Sequence, residues 1–64
     1  MTVVALVEKL KQGHHRADAI ARIIGYVVMI QRLGWDGVPV NRTSRYKLVR
    51  DFKMLDIDPL SVEL

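Results

Sequence analysis

Arg42-Thr43-Ser44-Arg45-Tyr46-Lys47-Leu48-Val49-Arg50-Asp51-Phe52-Lys53-Met54-Leu55 is the stretch on which the fold turns. It holds five of the chain's ten basic residues, against one acid, Asp51. At about 100° per residue, Leu48, Val49, Phe52 and Leu55 gather on one side of a helix. Thr43, Tyr46, Lys47, Arg50, Lys53 and Met54 gather on the other. One side asks for a protein core, and the other offers cations and hydrogen-bond donors. A nucleic-acid recognition helix needs that division. An ordinary amphipathic helix with a solvated basic face shows the same pattern.

Working outward, the helix is expected over residues 43–55, with Asn41, Thr43 or Ser44 as its cap. Asp56 takes the closing position where Gly is commoner, Ile57 reaches back to the apolar face, and Pro59 prevents continuation. The tail 56–64 carries Asp56, Asp58 and Glu63 and no base, with Leu60, Val62 and Leu64 available to pack or pair. Upstream, Gly34, Asp36, Gly37 and Pro39 mark a loop. Trp35 in that loop is expected to fold back on the core, and Val38 and Val40 flank Pro39 in extended backbone.

Before the loop, residues 16–33 predict a second helix. Asp18, Arg22, Gly25 and Arg32 line one narrow face, and nearly everything else is apolar: Ile20, Ile23, Ile24, Val27, Val28, Met29 and Ile30. A helix apolar around most of its circumference is buried on more than one side. A second copy of the chain is the simplest cover, which predicts a homodimer with Ile23, Val27 and Ile30 partly at its interface. Gly25 costs about 1 kcal/mol relative to Ala in mid-helix and would allow close helix approach. The first helix, residues 2–12, shows an apolar stripe of Val3, Leu6, Val7 and Leu10, with Thr2 as cap and Gly13 as stop.

At 64 residues the chain is one small domain, and 50% of it is hydrophobic. A chain this short buries only about 60% of its unfolded surface, so its core is marginal. No cysteine is present to staple it. The net charge of +3 and pI near 9.7 are compatible with a nucleic-acid partner. No signal peptide is evident, because Glu8, Lys9 and Lys11 interrupt the early apolar run, and a cytoplasmic location is expected. The uninterrupted apolar run from Ile23 to Ile30 falls well short of the roughly 20 residues that span a bilayer, so no membrane role is expected.

Catalytic and metal chemistry find little support. His14-His15 are adjacent, point about 100° apart on a helix, and have no other His or Cys to join them; they read as a solvated junction, and no metal or cofactor is expected. Asp56 and Asp58 have no companion His or Ser that suggests an acid–base pair. Asn41-Arg42-Thr43 matches a glycosylation sequon, which has no force without secretion. The chain has no room for a substrate pocket of about 300 Å³ beside its core, so it is not expected to be an enzyme.

Ser44-Arg45-Tyr46-Lys47-Leu48-Val49-Arg50-Asp51-Phe52, followed by Leu55-Asp56-Ile57-Asp58-Pro59, resembles the terminal helix-turn-helix element of small phage and plasmid regulatory or replication proteins. Those carry a Ser or Thr cap, a Tyr followed by a base, a second base one turn later, and an ending of the Leu-Gly-Ile-Asp type. The resemblance covers residues 44–59 and implies DNA binding by Ser44, Arg45, Tyr46, Lys47 and Arg50.

The expectation is an all-α, three-helix, helix-turn-helix-like domain, dimeric, binding double-stranded DNA to regulate transcription, recombination or replication. Arg42, Thr43, Ser44, Arg45, Tyr46, Lys47, Arg50 and Lys53 would be the contacts. Arg45, near the helix start, is favoured over Arg50 for reading a base, with Arg42 and Lys53 as outer phosphate partners. The alternative is a small helical interaction protein that docks on another protein through its apolar second helix and meets an acidic partner with its basic face.

Overall fold

Thr2 begins the first helix with extended backbone, and its Oγ1 accepts a hydrogen bond from the Ala5 N–H at 3.1 Å. That bond satisfies one of the donors a helix start leaves without a partner. In the computed structural model, which describes residues 1–64, α1 is Val3–Gln12, α2 is Ala17–Leu33 and α3 is Arg42–Met54. Short 3-10 turns at Trp35–Gly37 and Pro59–Ser61 follow α2 and α3. The chain is all-α, and its single β feature is a parallel bridge between Thr2 and Glu63. No helix is long and apolar enough to cross a membrane. Of the three candidate caps for α3, Asn41 holds the position: its Oδ1 accepts from the Ser44 N–H at 2.8 Å.

Two helices close in the same way, and neither uses a glycine. At the end of α1 the His15 N–H donates to Leu10 O and the His14 N–H to Lys11 O. At the end of α3 the Ile57 N–H donates to Phe52 O and the Asp56 N–H to Lys53 O. These are the paired bonds of a Schellman motif, which requires a left-handed residue just past the helix. His14 (φ 61°) and Asp56 (φ 55°) supply it. Gly13, expected as the stop of α1, has an ordinary φ of −81° and stands one place earlier. The left-handed conformation costs an L-residue about 1–2 kcal/mol, and glycine escapes most of that cost. Asp56→Gly is therefore expected to stabilise the fold by about 1 kcal/mol, read as a rise in melting temperature of roughly 4–8 °C. Gly34, which ends α2 at φ 77° and ψ 167°, occupies a region open essentially to glycine alone.

The core is formed by Leu6 and Leu10 of α1, Ile20, Val27 and Ile30 of α2, Val38 of the connection, Phe52 of α3, and Ile57 and Val62 of the tail. Trp35 packs half-buried against it, its ring edge-on to Phe52 with centroids 6.2 Å apart and planes at 83°. Val27 and Ile30 are each 0% exposed within the single chain, and Ile23 is half-buried. The expectation that Val27 and Ile30 reach a dimer interface is therefore corrected: both are interior positions of one chain. Two helices alone would leave that side of α2 open. The tail closes it.

That closure is a chain of specific bonds. Asp58 caps the last turn, its Oδ1 accepting from the Leu60 N–H at 3.0 Å and its Oδ2 from the Ser61 Oγ–H at 2.8 Å. Pro59 and Val62 are buried. The Gln31 amide on α2 donates to Pro59 O at 2.9 Å and to Val62 O at 2.6 Å. Beyond Val62 the tail lies beside the start of α1, with the Val3 N–H on Glu63 O at 3.1 Å and the Glu63 N–H on Met1 O at 2.7 Å.

Candidate nucleic-acid interface

Phe52, 3% exposed, seats α3 from behind. With that side fixed, helical geometry turns Arg42, Thr43, Tyr46, Lys47, Arg50, Lys53 and Met54 outward, and all seven are exposed. Tyr46 is 65% exposed, and the Arg42 guanidinium lies 5.9 Å from its ring centroid. Arg50 makes one loose contact, Nε to Asp51 Oδ1 at 3.8 Å, between side chains that are both largely in solvent. Such a pair contributes at most about 1 kcal/mol and leaves the guanidinium free to engage a stronger anion. No ion pair is made by Arg42, Lys47 or Lys53.

Two of the expected contacts lie elsewhere. Arg45 precedes Phe52 by seven residues, two helical turns, and so shares its side of α3. It is half-buried, and its Nη2 donates to Asp36 O and Val38 O, each at 3.2 Å. Its Nε is buried and has no hydrogen-bond partner. Arg45 thus ties the connection after α2 to the first turn of α3, and the expectation that it reads a base is corrected. Ser44 is exposed and borders, beside Lys47, a groove between α2 and α3, off the line of Tyr46 and Arg50.

Comparison of the chain with family models, with curated proteins and with solved structures returns no match.

The groove beside α3 is open along one side and has a volume of ≈ 530 Å³, which corrects the expectation that the chain has no room for a space of about 300 Å³ beside its core. Ile23 and Tyr26 of α2 and Leu48 and Leu55 of α3 form its floor. Arg22 and Lys47 stand on its opposite rims. It runs along α3 from Ser44 to Leu55, and Val40 and Leu48, both half-buried, border it. Of the apolar side expected for α3, Phe52 is buried, and Leu48 is half-buried and borders this groove. His14 and His15 lie at the α1–α2 junction, and no three His, Asp or Glu side chains converge anywhere in the chain.

Proposed function

We propose that the chain is a double-stranded DNA-binding regulator that places α3 in the major groove, with α2, the connection and α3 acting as a helix-turn-helix variant. The observation that carries this is the outward face of α3: four exposed cations, Arg42, Lys47, Arg50 and Lys53, with Thr43 and Tyr46 among them. A B-DNA major groove about 12 Å wide admits one helix. Arg50 and Tyr46 lie centrally on the face, flanked by Lys53 and Arg42 on one side and Thr43 and Lys47 on the other. Arg50 is accordingly the base reader, suited to guanine, and Arg42, Lys47 and Lys53 are phosphate partners. Arg45 orients the reading helix without touching DNA.

The test is binding to duplex DNA at several salt concentrations. Lys53→Ala is expected to weaken binding to all sequences alike and to reduce the salt slope by about one. Arg50→Ala is expected to cost about 1–3 kcal/mol at one base position and to relax selectivity there. Arg45→Ala serves as a contrast, because removing its charge-assisted bonds lowers stability by about 1–3 kcal/mol and leaves the salt slope of the folded fraction unchanged. If wild type binds no DNA at low salt, or the folded Arg50→Ala and Lys53→Ala variants bind as wild type does, the DNA reading fails. A protein partner with an acidic amphipathic helix, matched to the apolar groove between Arg22 and Lys47, then takes its place.

A further inference from the structure

The outward face of α2 has features that nothing within the chain uses. Gly25 sits at the middle of the helix and is exposed, and a Cβ built on it would meet nothing within 4 Å. Glycine at such a position costs about 1 kcal/mol of helix stability, and no contact in the folded chain requires it. Ala21 and Val28 lie beside it in solvent, with Met29 half-exposed at the edge. Asp18 lies seven residues before Gly25 and Arg32 seven residues after it. Seven residues are two turns, so both share the side of Gly25, roughly 10 Å from it along the axis in opposite directions. Both are exposed, and neither takes part in an ion pair or a side-chain hydrogen bond within the chain.

We propose that this face docks on the same face of a second copy, the two α2 helices antiparallel about a two-fold axis at Gly25, with Asp18 of each chain paired to the partner's Arg32. The symmetry makes the charge pattern complementary to itself. Under a two-fold axis at Gly25, each height before it meets the equal height after it while each flank keeps its side, so Asp18 and Arg32, both near the midline, meet, and Ala21 packs beside the partner's Val28. The remaining charge on the face, Arg22, shares a flank with the partner's Met29, where its methylene stem covers the methionine and its guanidinium stays in water. A parallel arrangement would instead set Asp18 against Asp18 and Arg32 against Arg32, which like-charge repulsion disfavours. Glycine at the axis lets the two backbones approach closely enough for the flanking pairs to form. One helix face is smaller than the roughly 800 Å² per partner of a standard interface, so the dimer is weak and salt-sensitive. It stands independently of the DNA reading, since α2 turns this face away from the core and α3 is not involved.

The test is sedimentation of the full chain without DNA, over a concentration series reaching the millimolar range at low salt. Wild type is expected to move from 7.3 kDa toward twice that mass as concentration rises. Asp18→Lys and Arg32→Glu, each placing two like-charge pairs in the dimer, should weaken association at least tenfold. The double variant, with the charges exchanged, should recover to within about threefold of wild type. Gly25→Leu should abolish the dimer while keeping or raising the melting temperature, which keeps the proposal testable if a charge variant folds poorly. A wild type that stays monomeric throughout, a double variant no better than the singles, or a Gly25→Leu chain that dimerises as wild type would each overturn it.

Discussion

Phe52→Ala is expected to leave the chain largely unfolded at room temperature. Phe52 is the only phenylalanine and the only α3 side chain fully inside the core. Emptying such a site costs about 3–5 kcal/mol, combining lost transfer energy with the cavity that remains. A further increment comes from the edge-to-face contact with Trp35, since such ring pairs contribute about 0.5–1.5 kcal/mol beyond burial. A chain of this size has a total stability of about 3–10 kcal/mol, so a single substitution removes much or all of it. The loss is concentrated because α3 stands off α2 across an open groove and has few other attachments. Urea titration read by the lone tryptophan, Trp35, and by far-ultraviolet circular dichroism will measure it. Phe52→Leu keeps most of the volume and is expected to fold with a reduced midpoint. A Phe52→Ala chain with an unchanged midpoint would show that α3 is held some other way, and the outward assignment of its cations would fall with it.

Helices were legible where one local signal dominated. The stripe of Val3, Leu6, Val7 and Leu10, the largely apolar stretch 20–30, and the grouping of Leu48, Val49, Phe52 and Leu55 place all three helices within a residue or two of their observed ends. Thr2 was readable as a cap because it has no rival, whereas Asn41, Thr43 and Ser44 compete and only the Asn41–Ser44 bond decides. Asp56 is legible at the left-handed closing position of α3 because no glycine competes there, whereas at α1 the neighbouring Gly13 masks the same role of His14. Arg45 illustrates a signal that was present and outweighed. Its two-turn spacing from Phe52 puts it on the core side, yet its charge and its nearness to the helix start suggested an anion. The covering of α2 was not legible, because Gln31 meets carbonyls 28 and 31 residues away and no local periodicity carries such a pairing. Without the tail in view, the apolar side of α2 pointed to a second chain.

Gln31→Leu is expected to cost about 2–3 kcal/mol although it replaces a polar side chain with an apolar one of similar size. The Gln31 Nε2 supplies hydrogen bonds to two backbone oxygens, Pro59 O and Val62 O, in a part-buried position. Removing the donor leaves both carbonyls facing a hydrocarbon that also keeps water away, and each unsatisfied buried acceptor costs about 1–3 kcal/mol. Gln31→Glu sharpens the test, because it retains shape and removes the donor in a pH-dependent manner. A carboxylate facing two carbonyl oxygens is disfavoured, so the introduced group must titrate above the ordinary value of about 4.3 in the folded chain. Below that ordinary value the acid is protonated in both states and can donate one hydrogen bond, so the loss is smallest there. The loss grows as pH rises through about 4.3 and levels off only above the raised folded value. Urea midpoints of Gln31→Glu measured against wild type between pH 4 and pH 8 should therefore diverge with rising pH, while Gln31→Leu keeps a nearly constant deficit. Parallel curves for Gln31→Glu, or a wild-type midpoint for Gln31→Leu, would mean that the tail is held by Pro59 and Val62 burial alone. Trp35 lines one pocket with Ile57, Asp58 and Pro59 of the tail, so its fluorescence is expected to respond when the tail leaves α2.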